Sequence, residues 1–169
     1  MKPSILKRLS LLLMLSALAV CPADDALATT ASATFNVTAT VLASCTVSAG
    51  TLAFGSYTPT AGSPIDATST VSVVCTNGTN YAVALDGGST AGDVAARAMN
   101  DTHTHTLAYE IYKDSARATV WGDGTGTTVT QSGTGSGTTQ SLTAYGRVPA
   151  SQFSTAGSYS DTVTVSVSY

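Results

Sequence analysis

From residue 33 to residue 47 every second position is apolar: Ala33, Phe35, Val37, Ala39, Val41, Ala43, Cys45 and Val47. The intervening Thr34, Asn36, Thr38, Thr40, Ser44 and Thr46 are polar, and Leu42 is the single break. A period of two predicts β-strand with one buried face. One straight strand of this length spans about 50 Å. The rest of the chain is one domain by length, with a diameter of roughly 35–40 Å. The run is therefore too long to be one strand of its own domain. Either it bends near residues 42–44, or its front half is accommodated elsewhere. A free strand with Phe35, Val37 and Val41 on one face exposes apolar surface and unpaired backbone groups, an aggregation hazard. It becomes tolerable if another subunit accepts it by β-strand addition.

The same alternation recurs downstream. Val71, Val73 and Cys75 share a parity, as do Tyr81, Val83 and Leu85, and Leu107, Tyr109 and Ile111. Leu142 and Ala144 lead toward Val148, residues 118–121 form a shorter run, and Val163, Val165, Val167 and Tyr169 alternate with Thr and Ser to the last residue. Turn signals separate the runs: Asn77-Gly78, Asp86-Gly87-Gly88, Gly122-Asp123-Gly124 and Ala156-Gly157. Residues 122–138 are rich in Gly and Thr and are read as a mobile loop. Residues 91–99 could form one helical turn. No segment sustains a 3.6 period, and many short strands with Gly-rich turns predict an all-β sandwich.

The N-terminus reads as a targeting signal. Lys2, Lys7 and Arg8 precede an apolar run of about a dozen residues, too short for a membrane span of about 20. Ala26 and Ala28 place cleavage after residue 28. Cys21 as a lipidation site is the competing reading, which Val20 before it disfavours. The mature chain holds four basic residues (Arg97, Lys113, Arg117, Arg147) against eight acidic ones, a net charge of −4. With no basic patch, nucleic acid is not expected as a partner. Cleavage removes Cys21 and leaves Cys45 and Cys75. In an exported chain such a pair most simply forms one disulfide, the alternative being two buried thiols.

Four stretches together resemble the spore coat protein U-like domain, the family that includes subunits of archaic chaperone–usher pili. They are residues 35–45 alternating into Cys; LAYEIY at 107–112 followed by Trp121-Gly122-Asp123-Gly124; Tyr145-Gly146-Arg147-Val148-Pro149; and AGSYSDTVTVSVSY at 156–169. The resemblance implies an incomplete immunoglobulin-like β-sandwich, completed by a donor strand from another subunit. It implies a signal peptide at 1–28, a donor-strand segment at 29–44 and a pilin domain at 45–169. The donor residues would be Ala33, Phe35, Val37, Ala39 and Val41. The C-terminal strand, with Val163, Val165, Val167 and Tyr169, would line the acceptor groove. The implied partners are identical or related pilus subunits, a periplasmic chaperone and an outer-membrane usher. The implied location is the periplasm and then the cell surface, where pili support adhesion and biofilm growth. The alternative function is a non-polymerising exported coat or binding protein with a closed sandwich.

No enzymatic reading emerges. No nucleophile–base–acid set, G-x-S-x-G or phosphate-binding loop is present, and no cofactor or small-molecule substrate is expected. His103 and His105 are two apart and would share a face on a strand, but Asp101 is the one nearby candidate to complete a metal site. Trp121-Gly122-Asp123-Gly124 lacks the repeated ligands of a calcium loop and reads as a strand end leading into a turn.

Overall fold

The computed structural model describes residues 29–103 and 105–169; the expected signal peptide lies outside them. The described residues fall into two units, divided between Ala39 and Thr40.

In the second unit the described residues form nine strands, the longest of them rich in Val, Thr and Ser, of which the β-branched Val and Thr pack well on a pleated surface. They are β1 (Cys45–Ala49), β2 (Ile65–Cys75), β3 (Asn80–Leu85), β4 (Ala98–Asn100), β5 (Thr106–Ala108), β6 (Glu110–Tyr112), β7 (Gln131–Thr134), β8 (Gln140–Val148) and β9 (Val165–Ser168). One sheet has the order β1-β2-β8-β6, a second β7-β3-β9, and β4 and β5 form a separate pair. All pairings between strands are antiparallel. The longest ladder runs from Ile65 opposite Val148 to Val73 opposite Gln140. The fold is the incomplete, immunoglobulin-like kind of all-β sandwich, and among the described residues it closes into no barrel.

The core lies between the two sheets. Val71, Val73 and Cys75 of β2 meet Tyr81, Val83 and Leu85 of β3, with Ile111, Ala144 and Val148. In each strand these residues are buried and their neighbours are less so, which is the predicted alternation. Trp121 is wholly buried, and its indole N–H donates to the Val83 carbonyl at 2.9 Å. Val129 pairs with it across a bridge, and Asp123 Oδ1 accepts from the Thr125 N–H at 2.9 Å and its hydroxyl at 2.6 Å. Gly122 allows this loop to close, since a Cβ there would lie 2.6 Å from the Thr128 side chain.

Three local expectations need correction. Residues 122–138 are not loop throughout, because β7 pairs with β3. Gly133 permits it: a Cβ at that position would lie 2.5 Å from the Tyr81 hydroxyl. Residues 91–99 end in strand β4 rather than in a helical turn. His103 and His105 lie outside the strands, in the connection between β4 and β5, where the N–H groups of both donate to Asp101 at 2.8 and 2.9 Å.

Arg97 is the buried charge that the alternation pattern does not reveal. Its side chain is fully enclosed and pairs with Glu110. It also donates to the carbonyls of Asp86 at 2.8 Å, Trp121 at 3.0 Å and Leu85 at 3.3 Å. Glu110 in turn accepts from the Ile111 N–H at 2.9 Å. One guanidinium thus joins the end of β3, strand β6 and the Trp121 segment. Arg97→Met would leave the Glu110 carboxylate buried without its partner, a change that costs about 3–5 kcal/mol in comparable cases. Urea denaturation should show a loss of that order; a loss below about 1 kcal/mol would contradict the assigned role.

Candidate functional site: an open apolar groove

The two sheets are left open along one side. Strand β1 pairs with β2 alone and β9 with β3 alone, so each presents a free edge among the described residues. These two edge strands pack against each other. Beyond β1, residues 50–57 run on without joining a sheet, and residues 154–164 approach β9 with a single bridge, Ser160 to Asn100. The gap between these two stretches is an apolar groove.

Two adjoining cavities make up the groove. One, of about 520 Å³, is lined by Leu52, Phe54, Leu85, Tyr109, Val163 and Val165, among others. The other, of about 760 Å³, includes Tyr57, Leu107, Val148 and Tyr159. Leu52, Phe54, Met99 and Tyr159 belong to both, so the groove is continuous. Leu85, Leu107, Tyr109 and Val148 of its lining are buried core residues, whereas Leu52, Phe54, Tyr57, Met99, Tyr159, Val163 and Val165 are only partly buried.

Local sequence explains this shape. Leu52 and Phe54 are two apart and lie over Gly146 of β8. A Cβ there would stand 2.7 Å from the Leu52 side chain and 2.8 Å from the Phe54 ring, so glycine lets both rest on the sheet. Phe54 meets Tyr109 edge-on, with ring centroids 6.0 Å apart. The Tyr57 hydroxyl donates to the Pro149 carbonyl at 3.0 Å and accepts from the Gln152 N–H at 2.7 Å, closing the far end.

Two carboxylates hold the lip formed by residues 160–164. Asp161 accepts from the Tyr109 hydroxyl at 2.7 Å, the Ser89 hydroxyl at 2.8 Å and the Thr90 N–H at 3.0 Å. Asp86 accepts from the N–H groups of Thr164 at 2.9 Å and Gly88 at 3.0 Å. Gly88, at φ +77°, has no side chain to block Asp161, whose carboxylate would sit 2.0 Å from a Cβ. Burial pushes both carboxyls upward. The hydrogen bonds from Tyr109 and Ser89 to Asp161, and from Thr164 and Gly88 to Asp86, outweigh it, so both lie below the usual carboxylate range. For the Tyr109 phenol, burial and the neighbouring Asp161 act together and push it well above its ordinary value.

The residues singled out from the sequence fall in three places. Cys45 and Cys75 are joined by a disulfide, directly opposite each other in the β1–β2 ladder. Val163, Val165 and Val167 are half-buried against the core, and the first two line the groove; Tyr169 lies past the end of β9 and is 60% exposed, outside the wall. Ala33, Phe35, Val37, Ala39 and Val41 are all exposed, Phe35 by 85% and Val37 by 82%. None of residues 29–44 is part of a strand. Sequence reasoning missed the wall formed by Leu52, Phe54, Tyr57, Met99 and Tyr159 and the anchors Asp86 and Asp161. The spacing of Leu52 and Phe54 was the one available signal.

The Spore Coat Protein U domain model matches residues 31–166. The chain is 33% identical to Protein U of Myxococcus xanthus, over 91% of this chain and 92% of that protein. Among solved structures it is similar to a chain of the CsuC–CsuE chaperone–tip adhesion subunit pre-assembly complex from archaic chaperone–usher Csu pili of Acinetobacter baumannii. The TM-score is 0.57 at 28% identity, over 77% of this chain. The match spans 40% of that solved chain.

The lip carries a pH dependence. Asp86 and Asp161 have folded values below the unfolded ones, so their stabilisation is complete above the unfolded value near pH 4. It is lost as the pH falls through the folded values. Denaturation followed from pH 5 down to pH 2 should show stability falling with acid. The Asp86→Asn/Asp161→Asn double variant should be less stable at pH 7 and should lose less over that window. Parallel curves would contradict the assignment.

Proposed function

This chain belongs to the Spore Coat Protein U domain family, and on that premise we propose that it is a structural subunit of an extracellular pilus, polymerising by donor-strand exchange. Residues 33–41 of one subunit fill the apolar groove of the next. A periplasmic chaperone occupies the groove first, and an outer-membrane usher directs the exchange. The subunit passes through the periplasm to the cell surface, where the pilus supports adhesion and biofilm growth. The chain is a structural protein and not an enzyme.

One observation carries this reading. The groove between residues 50–57 and 154–164 is apolar and is covered by no strand among the described residues, and residues 33–41, an apolar segment of strand periodicity, are exposed. Burying a Phe or Val side chain fully contributes roughly 1.5–3 kcal/mol. Inserting Phe35, Val37 and Val41 would add several such terms, together with main-chain hydrogen bonds along a free edge. The similarity to a subunit solved in a complex with a chaperone supports the same partner class. The alternative, an exported coat or binding protein with a closed sandwich, requires residues 33–41 to pack in their own core. Their exposure favours the first reading.

Deleting residues 29–41 leaves Cys45 and every strand of the sandwich in place. Co-expressed with its chaperone, the truncated chain should give soluble complex and no fibres. Phe35→Asp should reduce fibre yield at least tenfold by presenting a charge to an apolar wall. Fibres of normal length from the truncated chain would contradict donation, and loss of all soluble complex would favour the closed sandwich.

A further inference from the structure

The donor reading raises a problem of self-closure. Three residues, Leu42, Ala43 and Ser44, separate Val41 from Cys45. A hairpin with those three as its loop would set Val41 opposite Cys45, Ala39 opposite Val47 and Val37 opposite Ala49. The parity is the one that faces the core, because an odd loop keeps the apolar positions on one side. Phe35 would then lie opposite Thr51, beside the groove lined by Leu52 and Phe54. A segment tethered this closely has a local concentration in the millimolar range, far above that of any second copy. The sequence pattern therefore permits the subunit to fill its own groove.

Two features at the root of the segment oppose this. First, a three-residue hairpin needs a left-handed residue, usually glycine, and Leu42-Ala43-Ser44 supplies none. Second, Thr76 fixes the backbone just before β1. Its hydroxyl accepts from the Ser44 N–H at 3.1 Å and shares its one proton between the carbonyls of Ser44 at 3.3 Å and Leu42 at 3.5 Å. The Thr76 N–H donates to the Ser44 carbonyl at 2.9 Å. The adjacent Cys45–Cys75 bridge pins the next residue of each strand. Leu42 and Ser44 are thereby tied to Thr76 just beyond the end of the β1–β2 ladder, and using residues 42–44 as a loop breaks these bonds.

We infer that Thr76 is a positioning residue for the N-terminal segment: its clamp on residues 42–44 prevents residues 33–41 from folding back onto β1 of their own chain, and so reserves the groove for another copy. This rests on the donor-strand reading. A strand-end threonine serving stability alone would leave the balance between self-closed and polymeric chains unchanged.

The test uses the exported chain as wild type, Thr76→Val, Thr76→Ser and Ala43→Gly. Each is separated by size, and amide hydrogen exchange of residues 33–41 is measured in the monomer fraction. Thr76→Val keeps the β-branched shape and removes the hydroxyl. It should raise the monomer-to-polymer ratio about fivefold, the effect of one lost hydrogen bond, with residues 33–41 newly protected in the monomer. Thr76→Ser should behave as wild type. Ala43→Gly, at an exposed position, should shift the ratio in the same direction by easing the turn, and it decides alone if Thr76→Val does not fold. An unchanged ratio, or a variant monomer whose residues 33–41 exchange as fast as in wild type, would overturn the inference. So would a wild-type monomer already protected there. A wild type that forms no polymer, with residues 33–41 freely exchanging in every fraction, would instead reject the donor-strand reading and this inference with it.

Discussion

Every strand carries two rows of backbone hydrogen-bonding groups, and among the described residues β1 and β9 each leave one row without a neighbouring strand. The apolar groove opens on the same side, so the missing element is a strand in both senses: it must supply backbone partners and apolar side chains together. A loop or a helix could cover the walls but could not satisfy two free edges. That constraint selects an extended occupant with small and large apolar residues at every second position.

The remaining structure holds this gap open rather than letting it collapse. The Cys45–Cys75 bridge joins the edge strand β1 to β2, so β1 keeps its place with only one neighbour. Closing a chain loop across a separation of 30 residues is worth roughly 3–4 kcal/mol in the chain-entropy model. On the other lip, Asp86 and Asp161 tie residues 161–164 to the connection after β3. Behind both, Arg97 gathers three carbonyls and a carboxylate at the end of β3. An unfilled groove forgoes apolar burial, so these polar and covalent ties carry a larger share of the stability than in a closed sandwich.

Much of this was legible in the sequence because the core strands alternate cleanly. Val71, Val73 and Cys75, and Tyr81, Val83 and Leu85, read as buried faces and are buried. The 33–47 run was too long for one strand and was read as bending near residues 42–44 or as lodged elsewhere in its front half; in the structure β1 begins at Cys45. Other features leave no periodic trace. Leu52 and Phe54 have the spacing of a strand but lie in a stretch without pairing, so too few positions alternate to show it. Arg97 sits among alanines, Ala95, Ala96 and Ala98, where a cation reads as surface until the carbonyls around it are seen. Strand β7 is Gln-Ser-Gly-Thr, with no apolar residue; tertiary pairing with β3 and the space left by Gly133 make it a strand. Tyr169 continued the alternation of Val163, Val165 and Val167 but lies beyond the last paired residue, where no wall remains to pack against.

The central claim is that the groove is filled by residues 33–41 of a different copy. Polymer assembled from a mixture of two isotopically distinct preparations, one bearing labelled Phe and the other labelled Val, reports this directly by solid-state NMR. Phe35 of one preparation should show contacts with Val163 or Val165 of the other, and Phe54→Leu removes the phenylalanine of the receiving wall as a second source of such signals. Intermolecular contacts that persist in that variant are the predicted result. A mixed polymer that shows no cross-peak between Phe35 and Val163 or Val165 would contradict the account.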